Sequence, residues 1–181
     1  MSSLRIYYHN DIANLLFSTH NNVSIRRKLT EAGIRFEQWL TQSCLPPGAS
    51  DEKVLAEFKE EIDQLIAEEN YQHIEVVSLN EGHPDKDIIR ERFLNEHTHT
   101  HNEIRLCLAG EGLLSLHIDE KVYEILCTPG DLIYVPANTP HWFDIGDNPS
   151  LIMLRLFNCP EGWEPKLTGN PISSKFNRLE K

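Results

Sequence analysis

The N-terminal part of the chain combines the hydrophobic patterns of strands with that of a helix. Residues 4–8 and 34–40 alternate between apolar and polar side chains, which is the pattern of half-buried strands. Between them, residues 24–32 place apolar side chains at helical spacing, and Gly33, a residue type that often ends helices, follows directly. The pattern therefore predicts a strand, a helix and a second strand, in this order.

A longer helical pattern covers residues 51–70, after a proline-containing loop at residues 44–48. Ser50 is a candidate N-cap, and acidic residues occupy the first turn, where they interact favourably with the helix dipole. The apolar stripe of this helix consists of Val54, Phe58, Ile62, Leu65 and Ile66. We predict that the stripe packs on the rest of the fold and that the acidic residues form a solvated face, not a metal site.

Short strands dominate the remainder of the chain. The pattern predicts a strand at residues 71–79 and a connection at residues 81–89. Closely spaced strands then follow at residues 104–108, 113–118, 122–127 and 132–135, separated by glycine, proline and acidic turn residues. Such strands are typical of a barrel or a sandwich, so the predicted class is mainly β with flanking helices.

The length of the chain sets the expected domain organisation. Its 181 residues suit one domain with a single core, and no repeat or flexible linker interrupts them. We therefore predict one domain over residues 1–181. Residues 74–158 would form a barrel core, residues 1–73 would supply strands and helices packed on it, and residues 159–181 would form a C-terminal tail.

A heptapeptide of sequence HTHTHNE carries the strongest chemical signal in the chain. On a single strand, the side chains of His97, His99, His101 and Glu103 would share one face. Imidazole nitrogens and a carboxylate oxygen suit divalent first-row metals. A further histidine, His141, follows a predicted strand and turn, and a closed β-structure can bring such distant residues together. A solvated polar edge strand is the alternative.

These residues also resemble a known pattern. The spacing of His97, His99, Glu103 and Gly110 is similar to that of the first cupin motif. The spacing of Gly130, Pro136 and His141 is similar to that of the second. Residues 93–99, 103–105, 155–158 and 160–163 resemble the acireductone dioxygenase family in its bacterial form, over nearly the whole chain and most densely from about residue 74. Two features depart from the family: Glu91 replaces a frequent glycine, and His101 and Asn102 stand where acidic residues are common.

The resemblance implies a cupin fold, which is a small β-barrel of the double-stranded β-helix or jelly-roll type. It also implies one Fe(II) or Ni(II) per chain, with His97, His99, Glu103 and His141 as ligands. Three imidazoles and one carboxylate would leave two octahedral positions open for a chelating substrate. His101 breaks the family spacing, so we predict it at the rim of the substrate pocket.

The implied reaction is the cleavage of an acireductone, 1,2-dihydroxy-3-keto-5-methylthiopentene, by O2 in the methionine salvage pathway. In the family, the Fe(II) form gives formate and 4-methylthio-2-oxobutanoate, and the Ni(II) form gives formate, CO and 3-methylthiopropanoate. A deprotonated enediol can bind one cation through two oxygens, and the metal stabilises its negative charge. Both metals are expected to use the same ligands, so the sequence does not select between them.

Two arginines and a group of aromatic residues complete the predicted site. Arg105 follows Glu103 at strand parity, so its charge could balance that of the bound anion, although an outward salt bridge is the alternative. Arg155 resembles the second arginine position of the family and is the other predicted catalytic residue. The predicted apolar pocket walls, which could equally be ordinary core residues, are Phe93, Phe143 and Trp163.

The other histidines and the cysteines are expected to have structural roles. We predict surface positions for His9, His20, His73 and His83, and a packed, hydrogen-bonded position for His117. Four cysteines without CxxC spacing are predicted to be buried, unreactive thiols in a reducing compartment, namely Cys44, Cys107, Cys127 and Cys159.

Charge and composition narrow the range of partners. The net charge of -11 disfavours nucleic acid and anionic membranes, because both are themselves negatively charged. The chain has neither an apolar run long enough to span a membrane nor the pattern of a signal peptide. We therefore expect a cytoplasmic monomer whose partners are the acireductone and O2. The alternatives are a non-catalytic cupin binding module and another cupin metalloenzyme, such as a sugar isomerase that acts without O2.

Overall fold

The computed structural model of the protein describes residues 1–41 and 44–179, so the last two residues of the predicted C-terminal tail lie outside the described residues. The strands are β1 (Ser3–Tyr8), β2 (Asp11–Thr19), β3 (Arg35–Gln38), β4 (His73–Leu79), β5 (His97–Thr98), β6 (Glu103–Gly110), β7 (Gly112–Ile118), β8 (Lys121–Cys127), β9 (Asp131–Val135), β10 (His141–Asp144), β11 (Leu151–Phe157) and β12 (Lys166–Leu167). The helices are α1 (Asn22–Glu31), α2 (Asp51–Glu57), α3 (Lys59–Glu69) and α4 (Lys86–Leu94), followed by a 3-10 helix at Pro171–Lys175.

The strands form two antiparallel sheets. One sheet has the order β12-β5-β10-β7-β8-β1-β2, and the other has the order β3-β9-β6-β11-β4. Apolar side chains from both sheets form one buried cluster between them, so the sheets face each other across a common interior. The predicted mainly-β jelly-roll class is thus confirmed, in the form of two facing sheets instead of one closed barrel.

Both outer faces of this sandwich are also covered. Outward-facing residues of β6, β9 and β11 pack against apolar residues of α2 and α3. On the other sheet, Ile172 and Phe176 of the C-terminal segment pack against Trp142 of β10. Because β6 is buried on both faces, alternate residues of this strand reach different layers: Leu106 packs under the helices, while Cys107 packs in the interior. This alternation directs Glu103 and Arg105 inward.

The first strands belong to the sheets themselves. β1 and β2 form one edge of the seven-stranded sheet, and β3 forms an edge of the five-stranded sheet. The strand β2 carried no alternating pattern, because as an edge strand it leaves most of its side chains exposed on both faces. The division of the chain at residues 73 and 158 stays a prediction.

Two predicted segments differ from the structure. The helix predicted at residues 51–70 is interrupted at Phe58, whose backbone has φ -102° and ψ 24°, so that α2 and α3 can each place apolar residues on the curved sheet. Ser50 occupies the N-cap position of α2 without a capping hydrogen bond from its side chain. The connection predicted at residues 81–89 contains the start of α4, which begins at Lys86.

Gly110, at the end of β6, is a motif glycine with a clear steric reason. Its φ is +70°, and a Cβ at this position would lie 1.6 Å from the backbone oxygen of Ser150. Any other residue would therefore push apart β6 and the start of β11. No helix within residues 1–41 and 44–179 is long and apolar enough to cross a membrane.

Burial differs among the cysteines. Cys107 and Cys127 are buried as predicted, and burial raises the pKa of the Cys107 thiol to about 12, so it stays protonated and unreactive. The prediction was wrong for Cys44, which is exposed, and for Cys159, which is only partly buried.

Candidate metal centre

Three histidines from two segments, residues 97–99 and the start of β10, meet in the interior of the sandwich. His97 of β5 lies directly opposite His141 of β10 in an antiparallel pair, and His99 follows β5. The ring centroids are 4.5 Å apart for His97 and His141, 5.2 Å for His97 and His99, and 5.3 Å for His99 and His141. One nitrogen from each ring lies within 4.8 Å of the other two, so these residues could hold a metal ion.

Backbone contacts orient all three rings in the same way. Each Nδ1 faces a backbone carbonyl, which can only accept a hydrogen bond, so each Nδ1 carries a proton, and in the neutral ring the lone pair is on Nε2. The acceptors are the oxygens of Asn95 for His97 (2.7 Å), Thr139 for His141 (2.8 Å) and Glu164 for His99 (3.3 Å). This is how proteins fix metal-binding imidazoles.

The Nε2 lone pairs are the main evidence that a cation fits here. In the part of the chain that the structure describes, Nε2 of His97 and Nε2 of His141 are buried without a hydrogen-bond partner. Buried polar atoms without a partner are rare and costly. Nε2 of His141 also lies 3.3 Å from Oε2 of Glu103. A divalent cation between them would satisfy both groups.

Two of the imidazoles, those of His97 and His99, have the protonation state that metal binding needs. Burial lowers the pKa of His97 to about 2, and the neighbouring His141 adds to this effect. Burial likewise lowers the pKa of His99 to about 4, although the Glu103 carboxylate acts in the opposite direction. Both rings are therefore neutral at physiological pH, and no proton competes with a metal at their Nε2 atoms.

Acidic conditions are expected to destabilise the chelator-treated protein. His97 and His99 stay neutral in the folded state but take up protons in the unfolded state below their ordinary pKa of 6.5. The free energy of unfolding should therefore fall as the pH drops from 6.5 towards about 4, where folded His99 begins to protonate as well. Each histidine can contribute up to about 1.4 kcal/mol per pH unit.

Urea unfolding between about pH 7 and pH 5 measures this dependence, with His97→Gln as the comparison because glutamine does not titrate. The variant should show a shallower slope of unfolding free energy against pH. Equal slopes for the two proteins would contradict the assignment of neutral, buried His97.

Glu103 begins β6 and lies beside the three imidazoles. Its Oε2 is 3.3 Å from Nε2 of His141 and 3.8 Å from Nε2 of His99. Burial opposes ionisation, but Arg105 and Arg155 outweigh it and hold the pKa of Glu103 well below its usual range. The carboxylate is therefore charged, as a metal ligand must be, and its predicted role as the fourth ligand stays a prediction.

Both predicted arginines point into the interior. Arg105 and Arg155 lie directly opposite each other on β6 and β11, and both are buried. Arg155 donates from Nε to Oε1 of Glu103 at 2.7 Å, and Arg105 donates from Nη2 to Oε2 of Glu103 at 3.3 Å. Burial lowers the pKa of Arg155, but Glu103 and Glu75 more than compensate and raise it, so the guanidinium is charged.

A narrow cavity leads to the histidine cluster. It is lined by Arg92, Phe93, His97, His99, Arg155, Trp163 and Pro165. Phe93 of α4 is buried, and its ring meets that of Phe143 edge to face at 6.3 Å. Phe143 packs in the interior, 5.1 Å from the Arg105 guanidinium. The cavity measures about 10 Å³, the room of a single water, so a larger molecule needs side chains at its mouth to move.

The structure separates His101 from the other histidines. The heptapeptide is not one strand, because β5 ends at Thr98 and β6 begins at Glu103. The predicted common face of His101 and the ligands is therefore wrong. His101 is paired with the Thr100 hydroxyl at 2.9 Å and packs near Gly162, and it is not among the residues that line the narrow cavity.

Other histidines have more partners than the sequence indicated. Only His20 is fully exposed as predicted, whereas His73 stacks on Trp163 at 5.8 Å and His83 accepts a hydrogen bond from the Asp85 backbone. His117 is packed and hydrogen-bonded as predicted: its Nδ1 donates to Glu96 at 2.8 Å, and its Nε2 lies 3.0 Å from Nδ1 of His9. The contacts of His73 with Trp163 and of His117 with Glu96 and His9 join residues that are distant in sequence, so local spacing gives no signal of them.

Sequence reasoning also missed a carboxylate behind Arg155. Glu75 of β4 lies directly opposite Arg155 of β11 and accepts a hydrogen bond from its Nη1. Arg92 of α4 reaches the other oxygen of Glu75 at 3.0 Å. The available signal was a charged residue between apolar neighbours in the middle of a predicted strand.

Comparisons with known proteins give matches over almost the whole chain. The model of the ARD/ARD' family matches residues 5–165. The acireductone dioxygenase of Hahella chejuensis is 47% identical over 180 residues, covering 99% of this chain and 97% of the relative. That of Pseudomonas fluorescens Pf0-1 is 45% identical over 182 residues, covering 99% of both chains.

A solved structure gives the same result for the fold. The acireductone dioxygenase from Bacillus anthracis, which has a cadmium ion in its active center, superposes with a TM-score of 0.76 and 29% identity. The match covers 91% of this chain and 97% of that chain, which identifies the jelly roll as a cupin. Family model, relatives and structure agree over almost the full length. The chain therefore belongs to the ARD/ARD' family and is an enzyme of the dioxygenase class.

Proposed function

We propose that the enzyme cleaves an acireductone with O2 at a divalent cation held by His97, His99, His141 and Glu103. The observation that carries this proposal is that three histidine nitrogens lie within 4.8 Å of one another, with Nε2 of His97 and Nε2 of His141 buried and without a partner in the described chain, while the charged Glu103 lies 3.3 Å from Nε2 of His141. It is supported by full-length relatives that are acireductone dioxygenases, and by the cadmium ion in the active center of the Bacillus anthracis relative.

The donor set favours a first-row cation. Imidazoles with one carboxylate suit iron and nickel as well as zinc, so Fe(II) and Ni(II) are the proposed metals. When bound, such a cation acts as a Lewis acid that stabilises the negative charge of an enediolate. We propose the two outcomes of the family for the two metals: formate and 4-methylthio-2-oxobutanoate with iron, and formate, CO and 3-methylthiopropanoate with nickel. This reaction would belong to methionine salvage.

The protein's own residues hold the substrate and balance its charge. Nη1 of Arg105 is buried and has no hydrogen-bond partner among the described residues, so it can donate to an anionic oxygen of the substrate. Arg155 keeps Glu103 in place through its Nε. The aromatic ring of Phe93 and the indole of Trp163 line the approach, where they would contact the thioether chain and exclude water.

The direct test is consumption of the enediol. Acireductone is mixed with protein under anaerobic conditions, air is admitted, and the enediol absorbance and dissolved O2 are followed for iron-loaded, nickel-loaded and chelator-treated samples. We expect both metal-loaded forms to exceed the spontaneous rate, to consume O2 and to give the two product sets above. Decay at the spontaneous rate in every sample would overturn the proposal and favour a binding module, and turnover of a sugar without O2 would favour an isomerase.

A further inference from the structure

A row of three charged residues crosses the interior face of the five-stranded sheet. Glu75 on β4 lies opposite Arg155 on β11, and Arg155 lies opposite Arg105 on β6. Residues that are directly opposite on neighbouring strands share a face, so the three side chains form one row. Two cations and one carboxylate thus stand side by side next to the histidine cluster.

Arg155 uses each of its guanidinium nitrogens for a different partner. Its Nε donates to Glu103 at 2.7 Å, its Nη2 lies 3.2 Å from Nε2 of His99, and its Nη1 donates to Glu75. Glu103 and His99 belong to the candidate metal centre. Among the described residues, Glu75 is the one hydrogen-bond partner of Arg155 outside this centre, and it holds the Nη1 end of the guanidinium.

The position of Arg155 needs such an anchor. Arg105 and Arg155 are both buried, and like charges repel each other strongly where water is excluded. Glu103 accepts hydrogen bonds from both guanidinium groups, so this carboxylate alone does not fix the position of Arg155 relative to Arg105. The second carboxylate, Glu75, acts on Arg155 and draws this group towards β4. Because the guanidinium is planar and rigid, holding Nη1 sets the direction of Nε and Nη2.

Arg92 completes this arrangement from the surface. Its Nη2 donates to Oε1 of Glu75 at 3.0 Å, while its guanidinium lies 4.8 Å from the centre of the Phe93 ring. The side chain of Arg92 is 44% exposed and that of Glu75 is 21% exposed. The two oxygens of Glu75 are thus shared between a buried arginine and a surface arginine, which limits the rotation of the carboxylate.

We propose that Glu75 is a positioning residue that holds Arg155 in the orientation from which its Nε supports Glu103. This inference rests on the proposed function in that Arg155 serves the metal centre. Without Glu75, the Arg155 guanidinium can turn away from Glu103 or move closer to the Nε2 lone pair of His99, from which it now lies 3.2 Å away, and either movement disturbs the donor set. Hydrogen-bonded groups behind metal ligands typically contribute about 10- to 100-fold to metal affinity or activity.

The test combines two variants of Glu75 with two readouts. Glu75→Gln removes the charge but keeps an acceptor oxygen, and Glu75→Ala removes both. Nickel affinity is measured without substrate by competition with a chromophoric chelator, and kcat is measured from enediol loss. We expect Glu75→Ala to weaken nickel binding and to lower kcat by about 10- to 100-fold, and Glu75→Gln to have a smaller effect on both. Glu91→Gln removes one negative charge at an exposed position and should alter neither nickel affinity nor kcat.

A double-mutant cycle with Arg155→Lys separates positioning from a general effect of charge. Lysine keeps the charge but cannot bridge three partners, so adding Glu75→Ala to Arg155→Lys should cost less than about threefold in nickel affinity. Independent, multiplicative losses would overturn the inference, as would nickel affinity and kcat within about twofold of wild type in Glu75→Ala. If Glu75→Ala does not fold, Glu75→Gln and the exposed Arg92→Ala decide by the same criteria. Nickel affinity does not depend on the reaction, so a failure of the proposed function leaves this test intact.

Discussion

Substitution of His97 by alanine is expected to abolish stoichiometric metal binding and to reduce enediol consumption to the spontaneous rate. His97 supplies one of the two buried Nε2 atoms that have no hydrogen-bond partner in the described chain, and it lies directly opposite His141. Without this donor, a cation keeps two imidazoles and loses the ring that closes one side of the cluster. The loss of metal affinity should exceed the roughly 100-fold effect that is typical when a residue hydrogen-bonded to a metal ligand is replaced.

Metal analysis of the purified variant and the enediol assay measure the two consequences. His20→Ala is the matched control, because His20 is exposed and far from the cluster in the sheet order. It should bind one metal per chain and keep wild-type activity. Full metal content together with wild-type activity in His97→Ala would show that the metal lies elsewhere.

Substitution of Glu103 by alanine is expected to lower the free energy of unfolding of the chelator-treated protein by about 3–5 kcal/mol, in addition to removing activity. The carboxylate lies between two buried guanidinium groups, 2.7 Å from Nε of Arg155 and 2.9 Å from Nε of Arg105. Its removal leaves two buried cations with only Glu75 nearby. A buried charge without its partner costs far more than the intact pair contributes.

Urea unfolding at neutral pH gives the size of this effect. Glu120→Ala, at an exposed turn, is the control and should change the free energy of unfolding by less than about 0.5 kcal/mol. The double variant Glu103→Ala/Arg105→Met should recover part of the loss, because it removes one of the uncompensated cations. A loss below about 1 kcal/mol in Glu103→Ala would mean that water already solvates the two arginines.

Local patterns in the sequence predicted the strands β6, β7, β8 and β9 well, because these strands are bounded by turn residues and buried on at least one face. The resemblance to the cupin motifs implied that His97, His99 and His141 converge, and the pairing of β5 with β10 brings them together in the structure. Strand parity failed for His101, because residues 99–102 leave the sheet. Parity assumes an unbroken strand, and nothing in HTHTHNE marks the break.

Contacts between distant strands lay beyond sequence reasoning. Glu75 precedes Arg155 by many residues, and only the order β6-β11-β4 makes them neighbours. The break at Phe58 depends in the same way on the shape of the sheet under the helices, and the edge strand β2 has no buried face to produce a pattern. In each case, tertiary packing decided the outcome where local preference was weak.

The most direct test of the account is anomalous diffraction from crystals of the nickel-loaded protein, recorded on both sides of the nickel absorption edge. We predict one nickel peak within bonding distance of Nε2 of His97, His99 and His141 and of one carboxylate oxygen of Glu103. A peak at any other place, or a nickel ion that lacks one of these imidazoles, would contradict it.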